Sequence, residues 1–174
     1  MRSNFAFPPP AFKDLAEAAR KAESHIMGDP RAACFHARFA LEAAVQWLYR
    51  YDTSLRMPYD SSLGAMIHDP GFKDLLPEAV FQKARITQQV GNQAVHEQRP
   101  IRQQDAMQVV KELHHLCYWL TRTYAPEASR EGAAWADGRS YRPRRRAGQV
   151  SEKHPKWKKA SKTAFTECLH WPIP

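Results

Sequence analysis

The segment DPRAACFHARFALEAAVQWLYRY, residues 29–51, constrains the fold more than any other part of this chain. Its apolar residues recur every three or four positions, the spacing that places side chains on one side of an α-helix. Asp29 followed by Pro30 is typical of a helix start, with a capping residue before a first-turn proline. The many alanines favour close contact with a neighbouring helix. The predicted buried stripe consists of Ala33, Ala37, Ala40, Leu41, Ala44, Val45 and Leu48.

Three further segments carry the same helical period, at residues 11–27, 77–97 and 105–124. Ser61 or Ser62 is placed to cap a short helix through Ile67, and another short turn follows it. The β-branched residues do not alternate with polar ones, and no hairpin signal such as Asn-Gly is present, so no strand is predicted. The expected fold is therefore all-α, a bundle of four long helices with one or two short ones.

Charge and composition divide the chain into three parts. We predict an N-terminal arm over residues 1–10 and a helical domain over residues 11–126. Residues 127–174, rich in Pro, Arg and Lys, are predicted to be a largely disordered basic tail. The formal charge of +8 resides mostly in this tail, which has 11 Lys/Arg against 5 Asp/Glu, compared with 15 against 13 in residues 1–126. The high pI is therefore no evidence that the helical domain binds nucleic acid.

Two basic clusters in the tail, RPRRR and KHPKWKK, are candidates for contacts with nucleic acid, because such clusters gain affinity by displacing counterions. The alternative, which we favour, is a solvated extension without a specific partner. The candidate residues are Arg142, Arg144, Arg145, Arg146, Lys156, Lys158 and Lys159.

The cysteines and the hydropathy pattern indicate a reducing, cytoplasmic setting. Cys34, Cys117 and Cys168 form no CxxC motif, and the first two lie within apolar helical stripes, which favours buried free thiols. No apolar run approaches the roughly 18 residues of a membrane helix, and the N-terminus lacks the apolar stretch of a secretion signal. We therefore expect no membrane partner.

A polar constellation surrounds the sequence GNQAVHE, residues 91–97. Arg85, Asn92 and His96 share one face of the predicted helix, and Gly91 within it indicates close approach by another helix. The pair Arg38 and Glu42, four residues apart on the preceding long helix, could complete the cluster. The residues of the predicted polar cluster are Arg38, Glu42, Arg85, Asn92 and His96.

This constellation has two interpretations. A hydrogen-bond network that pins helices together is favoured, and a catalytic site with Asn92 and His96 as candidates is the alternative. The chain has no GxSxG motif, no HExxH or HxxxH metal spacing and no phosphate-binding loop. We therefore predict no metal site and no nucleotide cofactor.

GNQAVHE, together with DPRAACFHARFALEAAVQWLY upstream and SSLGAMIHDPGF between them, resembles the helical domain at the N-terminus of type I restriction enzyme R subunits. That domain belongs to a family of unknown function related to the HEPN superfamily, and the resemblance covers about residues 3–125. It implies a HEPN-like bundle in which Arg38, Glu42, Asn92 and His96 match recurring polar positions. The implied partners are other restriction-modification subunits, with DNA contacted indirectly or through the tail, and a second copy in a homodimer.

Full-length R subunits are site-specific deoxyribonucleases whose downstream nuclease and helicase domains use ATP and Mg²⁺. None of their motifs is present here, so we expect a non-catalytic interaction module in DNA restriction and phage defence, from a truncated or free-standing gene product. The alternative is a HEPN-type ribonuclease or toxin that uses His96. HEPN ribonucleases place an arginine shortly before this histidine, where this chain has Gln89, Val90 and Gly91, and the nearest upstream arginine is Arg85. A second alternative is nucleic-acid binding through the basic tail.

Overall fold

Four long α-helices and two short ones make up residues 3–125, the part of the chain that a computed structural model describes. Within these residues no strand is present, which confirms the predicted all-α bundle. A 3₁₀ turn at Pro10–Phe12 precedes the first helix. The helices are α1 (Lys13–His25), α2 (Pro30–Tyr51), α3 (Leu63–His68), α4 (Pro70–Leu75), α5 (Glu78–His96) and α6 (Gln103–Tyr124).

The starts of the middle helices follow local capping chemistry. The Asp29 carboxylate accepts a hydrogen bond from the Ala32 amide at 3.0 Å, and Ser62 Oγ accepts one from Ala65 at 3.3 Å. Asp69 starts α4, where the sequence predicted only another short turn after the helix that ends near Ile67. Its side chain accepts from the amides of the second and third residues of α4 and so caps this helix.

Helix α2 is the centre of the bundle, because it packs against α1, α5 and α6. Every residue of its predicted stripe is buried, with at most 2% of its surface exposed. Cys34 and Cys117 are buried free thiols, as predicted, and Cys168 lies outside the described residues. Burial raises the pKa of Cys34 to about 11 and raises that of Cys117 further. Neither thiol is therefore in the reactive thiolate form at neutral pH.

The N-terminal arm packs onto the bundle. Glu23 of α1 holds the arm through the Asn4 amide at 3.1 Å and through the Ser3 hydroxyl. Phe5 is fully buried, and its ring meets the edge of His114 of α6 with centroids 5.4 Å apart. Phe5 is thus part of the core although it precedes the first helix by several residues.

The loop after α2 is tied to the far end of α6. Asp52 is 4% exposed, and its carboxylate accepts hydrogen bonds from the Ser54 amide at 2.9 Å and from the Tyr124 hydroxyl at 2.5 Å. Burial, together with the charge of Asp52, raises the pKa of Tyr124 well above its usual range. Along residues 3–125, no helix has the length and apolar character needed to cross a bilayer.

The predicted tail, residues 127–174, lies outside the described residues. The same holds for its nucleic-acid candidates Arg142, Arg144, Arg145, Arg146, Lys156, Lys158 and Lys159.

Candidate functional site

Helices α2 and α5 run antiparallel and meet closely at Gly91. Arg31, near the start of α2, contacts the end of α5, whereas Arg38, two turns later, contacts residues 91 and 92. A Cβ atom placed on Gly91 would lie only 2.4 Å from Cβ of Arg38. Such a contact is impossible without movement of one helix, so the glycine permits the approach.

Three of the predicted polar residues meet at this contact, and we call Arg38, Glu42 and Asn92 the seam cluster. Arg38 Nε donates to Asn92 Oδ1 at 2.8 Å, which joins the two helices. Arg38 Nη1 donates to Glu42 Oε2 at 3.3 Å within α2. The side chains of Arg38 and Glu42 retain 26% and 31% of their exposure. The seam cluster therefore joins α2 to α5 at the edge of the bundle, in contact with water.

The structure does not bring Arg85 and His96 into the seam cluster. Both side chains are exposed, and neither forms a hydrogen bond or ion pair with any residue between 3 and 125. The buried side of α5 is formed by the residues in line with Ala84, Gly91 and Ala94. Arg85 and His96 fall on the solvent side of that line, because the face they share with Asn92 lies at the margin of the helix contact. His96 instead lines a shallow cavity of about 570 Å³ beside Arg31.

Arg31 is an anchoring residue that the sequence analysis did not single out. Its Nη1 donates to the carbonyls of Ala94 and Glu97 at 2.7 and 2.6 Å, and its Nη2 donates to that of Arg99 at 2.7 Å. These carbonyls belong to the C-terminal end of α5 and the turn after it, where the helix dipole favours a cation. Its position at the second residue of α2, antiparallel to α5, is the signal that could have identified it.

A second polar cluster between α5 and α6 was also missed, and we call Lys83, Gln108, Glu112 and His115 the buried carboxylate cluster. Lys83 Nζ and Gln108 Nε2 each donate to a Glu112 oxygen, and His115 Nδ1 lies 3.6 Å from Glu112 Oε2. The Glu112 side chain is only 8% exposed. Burial raises the pKa of Glu112, but the hydrogen bonds and charges of His115 and Lys83 outweigh it and bring the pKa to about 2.

The seam cluster combines a cation, a carboxylate and an amide, and it contains no thiol or hydroxyl nucleophile. Over the described part of the chain, no three His, Cys, Asp or Glu side chains are placed to share a metal ion. The two described thiols are buried, and the Tyr49 hydroxyl is bonded to the Met66 carbonyl at 2.8 Å. The guanidinium group of Arg38, which contacts Asn92, donates hydrogen bonds to both Asn92 and Glu42. The geometry suits a structural connection between helices.

Comparison with known proteins gives a family but no activity. A family described as a domain of unknown function (DUF4145) matches residues 20–160, which include the C-terminal part of α1 and all of α2 to α6. Neither the curated proteins nor the solved structures contain a match to this chain. Because the matched region covers well over half of its residues, the chain belongs to the DUF4145 family of domains of unknown function.

Proposed function

We propose that this chain is a non-catalytic helical interaction module of a type I restriction-modification system, equivalent to the HEPN-like N-terminal domain of an R subunit. Its role is to dock on other subunits of the system and so to position DNA indirectly. The module needs no cofactor of its own. The family assignment is compatible with this role, and the resemblance of residues 3–125 to R subunits motivates it.

The observation that carries the proposal is the internal pairing of the seam cluster. A cation that stabilises charge in a reaction must be able to approach the substrate, so an arginine already bonded to two neighbouring side chains is less available for that role. Here Asn92 accepts from Arg38, and Arg38 also pairs with Glu42. These three polar positions therefore support a role in holding α2 against α5.

The position of His96 argues against the alternative of a HEPN-type ribonuclease. Cleavage of RNA by such a site needs a cation near the scissile phosphate as well as the histidine. Arg31 lines the same shallow cavity as His96, but its guanidinium is committed to three backbone carbonyls. Arg85 lies about three turns earlier on α5.

We also propose that the chain forms a homodimer, as the family resemblance implies, and exposed aromatic residues on α2 support this. Phe35 and Phe39 are 46% and 51% exposed and lie one turn apart, beside the Arg38–Glu42 pair. A patch that combines apolar rings with both signs of charge can pair with a copy of itself about a two-fold axis. Phe39→Ser should then shift the full chain from dimer to monomer in light scattering, whereas Met57→Ser, an equally exposed substitution elsewhere, should not.

The decisive experiment measures binding of the full chain to a purified methyltransferase–specificity complex of a type I system from the same genome. Saturable binding at micromolar concentration or below is expected. A cooperatively folded chain that does not bind would overturn the proposal. RNA cleavage by the wild type that is lost in His96→Ala would establish the ribonuclease instead.

A further inference from the structure

A groove between α5, α6 and the turn joining them combines an apolar floor with positive charge. It encloses about 640 Å³, within the range of sites that hold small ligands or short peptide segments. Ile86 and Val90 of α5, Ile101 of the turn and Val109 of α6 line it. Ile86 is 40% exposed, and Val90 and Ile101 are partly buried against the core. The groove thus offers apolar surface that a partner side chain could cover.

Two arginines line one end of this groove. Arg99 and Arg102 lie on either side of Ile101 in sequence, and both are exposed. Their guanidinium groups make no hydrogen bond or ion pair with any residue in the described range of the chain. Asp105 also lines the groove, so the balance of formal charge among its lining residues is one positive unit.

The turn that carries these arginines is held in place from α2. Arg31 donates to the carbonyls of Glu97 and Arg99, and Ile101 packs against the core. The cations are therefore presented from a fixed backbone, which lowers the entropic cost of binding an anionic partner. Arg102 is also the residue before α6, a helix whose N-terminus has no side-chain cap, so the positive end of its dipole adds to the field.

We propose that this groove docks an acidic segment of a partner protein, with an apolar side chain on the floor and adjacent carboxylates on Arg99 and Arg102. Carboxylates pair with guanidinium groups through short, bidentate hydrogen bonds. The apolar floor favours a peptide over a nucleic-acid backbone, because phosphates and sugars leave Ile86 and Val90 uncovered. The inference rests on the proposed function, since it names the surface through which the interaction module engages its partner.

The first test uses a synthetic peptide, so that it does not depend on the restriction subunits. The probe is an acetylated dodecapeptide with two adjacent leucines between runs of glutamate, and its control has glutamine in place of every glutamate. The ¹⁵N-labelled full chain should show saturable shifts at amides of residues 86–109 with the acidic peptide. The glutamine control should bind with an apparent affinity at least about tenfold lower, because its charge pairs with the arginines are lost.

Matched substitutions then separate the groove from the rest of the surface. Ile86→Ser should weaken binding about fivefold or more, whereas Val95→Ser should leave it unchanged. Both residues lie on α5 and are similarly exposed, at 40% and 44%, but only Ile86 lines the groove. Arg99→Glu with Arg102→Glu should abolish binding. Arg56→Glu with Arg85→Glu changes the net charge equally, at exposed positions outside the groove, and should weaken binding only slightly.

The outcomes separate the groove from the proposed function. Equal effects of Ile86→Ser and Val95→Ser, or absence of peptide binding, overturn the groove as a docking site even if the restriction subunits bind elsewhere. Peptide binding with no binding of the restriction subunits overturns the proposed partner and supports the groove. Tighter binding of a short single-stranded oligonucleotide than of the acidic peptide, insensitive to Ile86→Ser, overturns the acidic occupant.

Discussion

The seam cluster and the buried carboxylate cluster both join helices through charged side chains, but they differ in their access to water. In the seam cluster, Arg38 and Glu42 keep about a quarter to a third of their side-chain exposure. In the buried carboxylate cluster, Glu112 keeps 8%. Water screens the first pair and replaces a lost partner, whereas the second has only protein groups to compensate its charge. The more hidden cluster should therefore matter more for stability.

The largest expected effect is that of Glu112→Ala. Removing this carboxylate leaves the Lys83 ammonium, itself 19% exposed, without its partner. We expect a loss of about 3–5 kcal/mol in the free energy of unfolding, measured by urea denaturation. Glu42→Ala, the matched change in the seam cluster, should cost less than about 1 kcal/mol. Equal losses for the two variants would show that exposure does not distinguish the clusters.

The second effect is a dependence of stability on pH. The pKa of Glu112 is about 2 in the folded chain, below its value of about 4.3 in an unfolded one. Its contribution is thus complete above the unfolded value and is lost as the pH falls through about 4 towards 2, by at most about 3 kcal/mol. Glu112→Gln should remove this part of the acid sensitivity in urea titrations at pH 7, 4 and 3. An unchanged acid profile in that variant would assign the sensitivity to other carboxylates.

Gly91→Ala is expected to have an intermediate effect. The new Cβ would meet Arg38 at 2.4 Å and force α2 and α5 apart, at a cost of about 1–3 kcal/mol. The gain in helix propensity, about 1 kcal/mol, offsets part of this cost. Gly64→Ala is the control, because a Cβ on this helical glycine meets Gln88 at an ordinary 3.4 Å. Thermal melting should show destabilisation only for the first variant; the same melting temperature for both would contradict the close approach.

The smallest expected effect is the coupling between Arg38 and Asn92. Their hydrogen bond of 2.8 Å joins two helices at a partly exposed position. A double-mutant cycle with Arg38→Ala and Asn92→Ala should give about 0.5–1.5 kcal/mol of coupling. Gln46 and Glu42, 3.5 Å apart within α2, provide a comparison pair that should couple less. Coupling near zero would show that the hydrogen bond between Arg38 and Asn92 does not stabilise the packing of α2 against α5.

The helices could be predicted from the sequence because their causes are local. The apolar period of α2 specified its buried side, and Asp29 with Pro30 specified its start, to within the residues observed. Gly91 also predicted a close approach, since a glycine inside a helix is otherwise a loss of stability. The start of α4 at Asp69 was harder to predict, because the same Asp-Pro pair ends one helix and begins the next.

The side-chain clusters could be predicted only in part, because they depend on how two helices are set against each other. The helical spacing places Asn92 and His96 on one side of α5. The position of α2 determines that Arg38 contacts Asn92 and that His96 stays exposed to solvent. The partners of Arg31 are likewise distant in sequence, and so is Lys83, which reaches Glu112 from α5. No period within one helix specifies such a pair; it needs the register between helices.

The burial of Phe5 against His114 has a consequence for synthesis of the chain. Phe5 precedes every described helix, and it reaches its place only against α6, which follows the other described helices along the chain. In the nascent chain, the apolar side chain of Phe5 therefore stays exposed until α6 has been synthesised. During this time chaperones or other nascent chains can bind it. Moving the arm behind α6 by circular permutation would shorten that interval and should raise the yield of properly folded material.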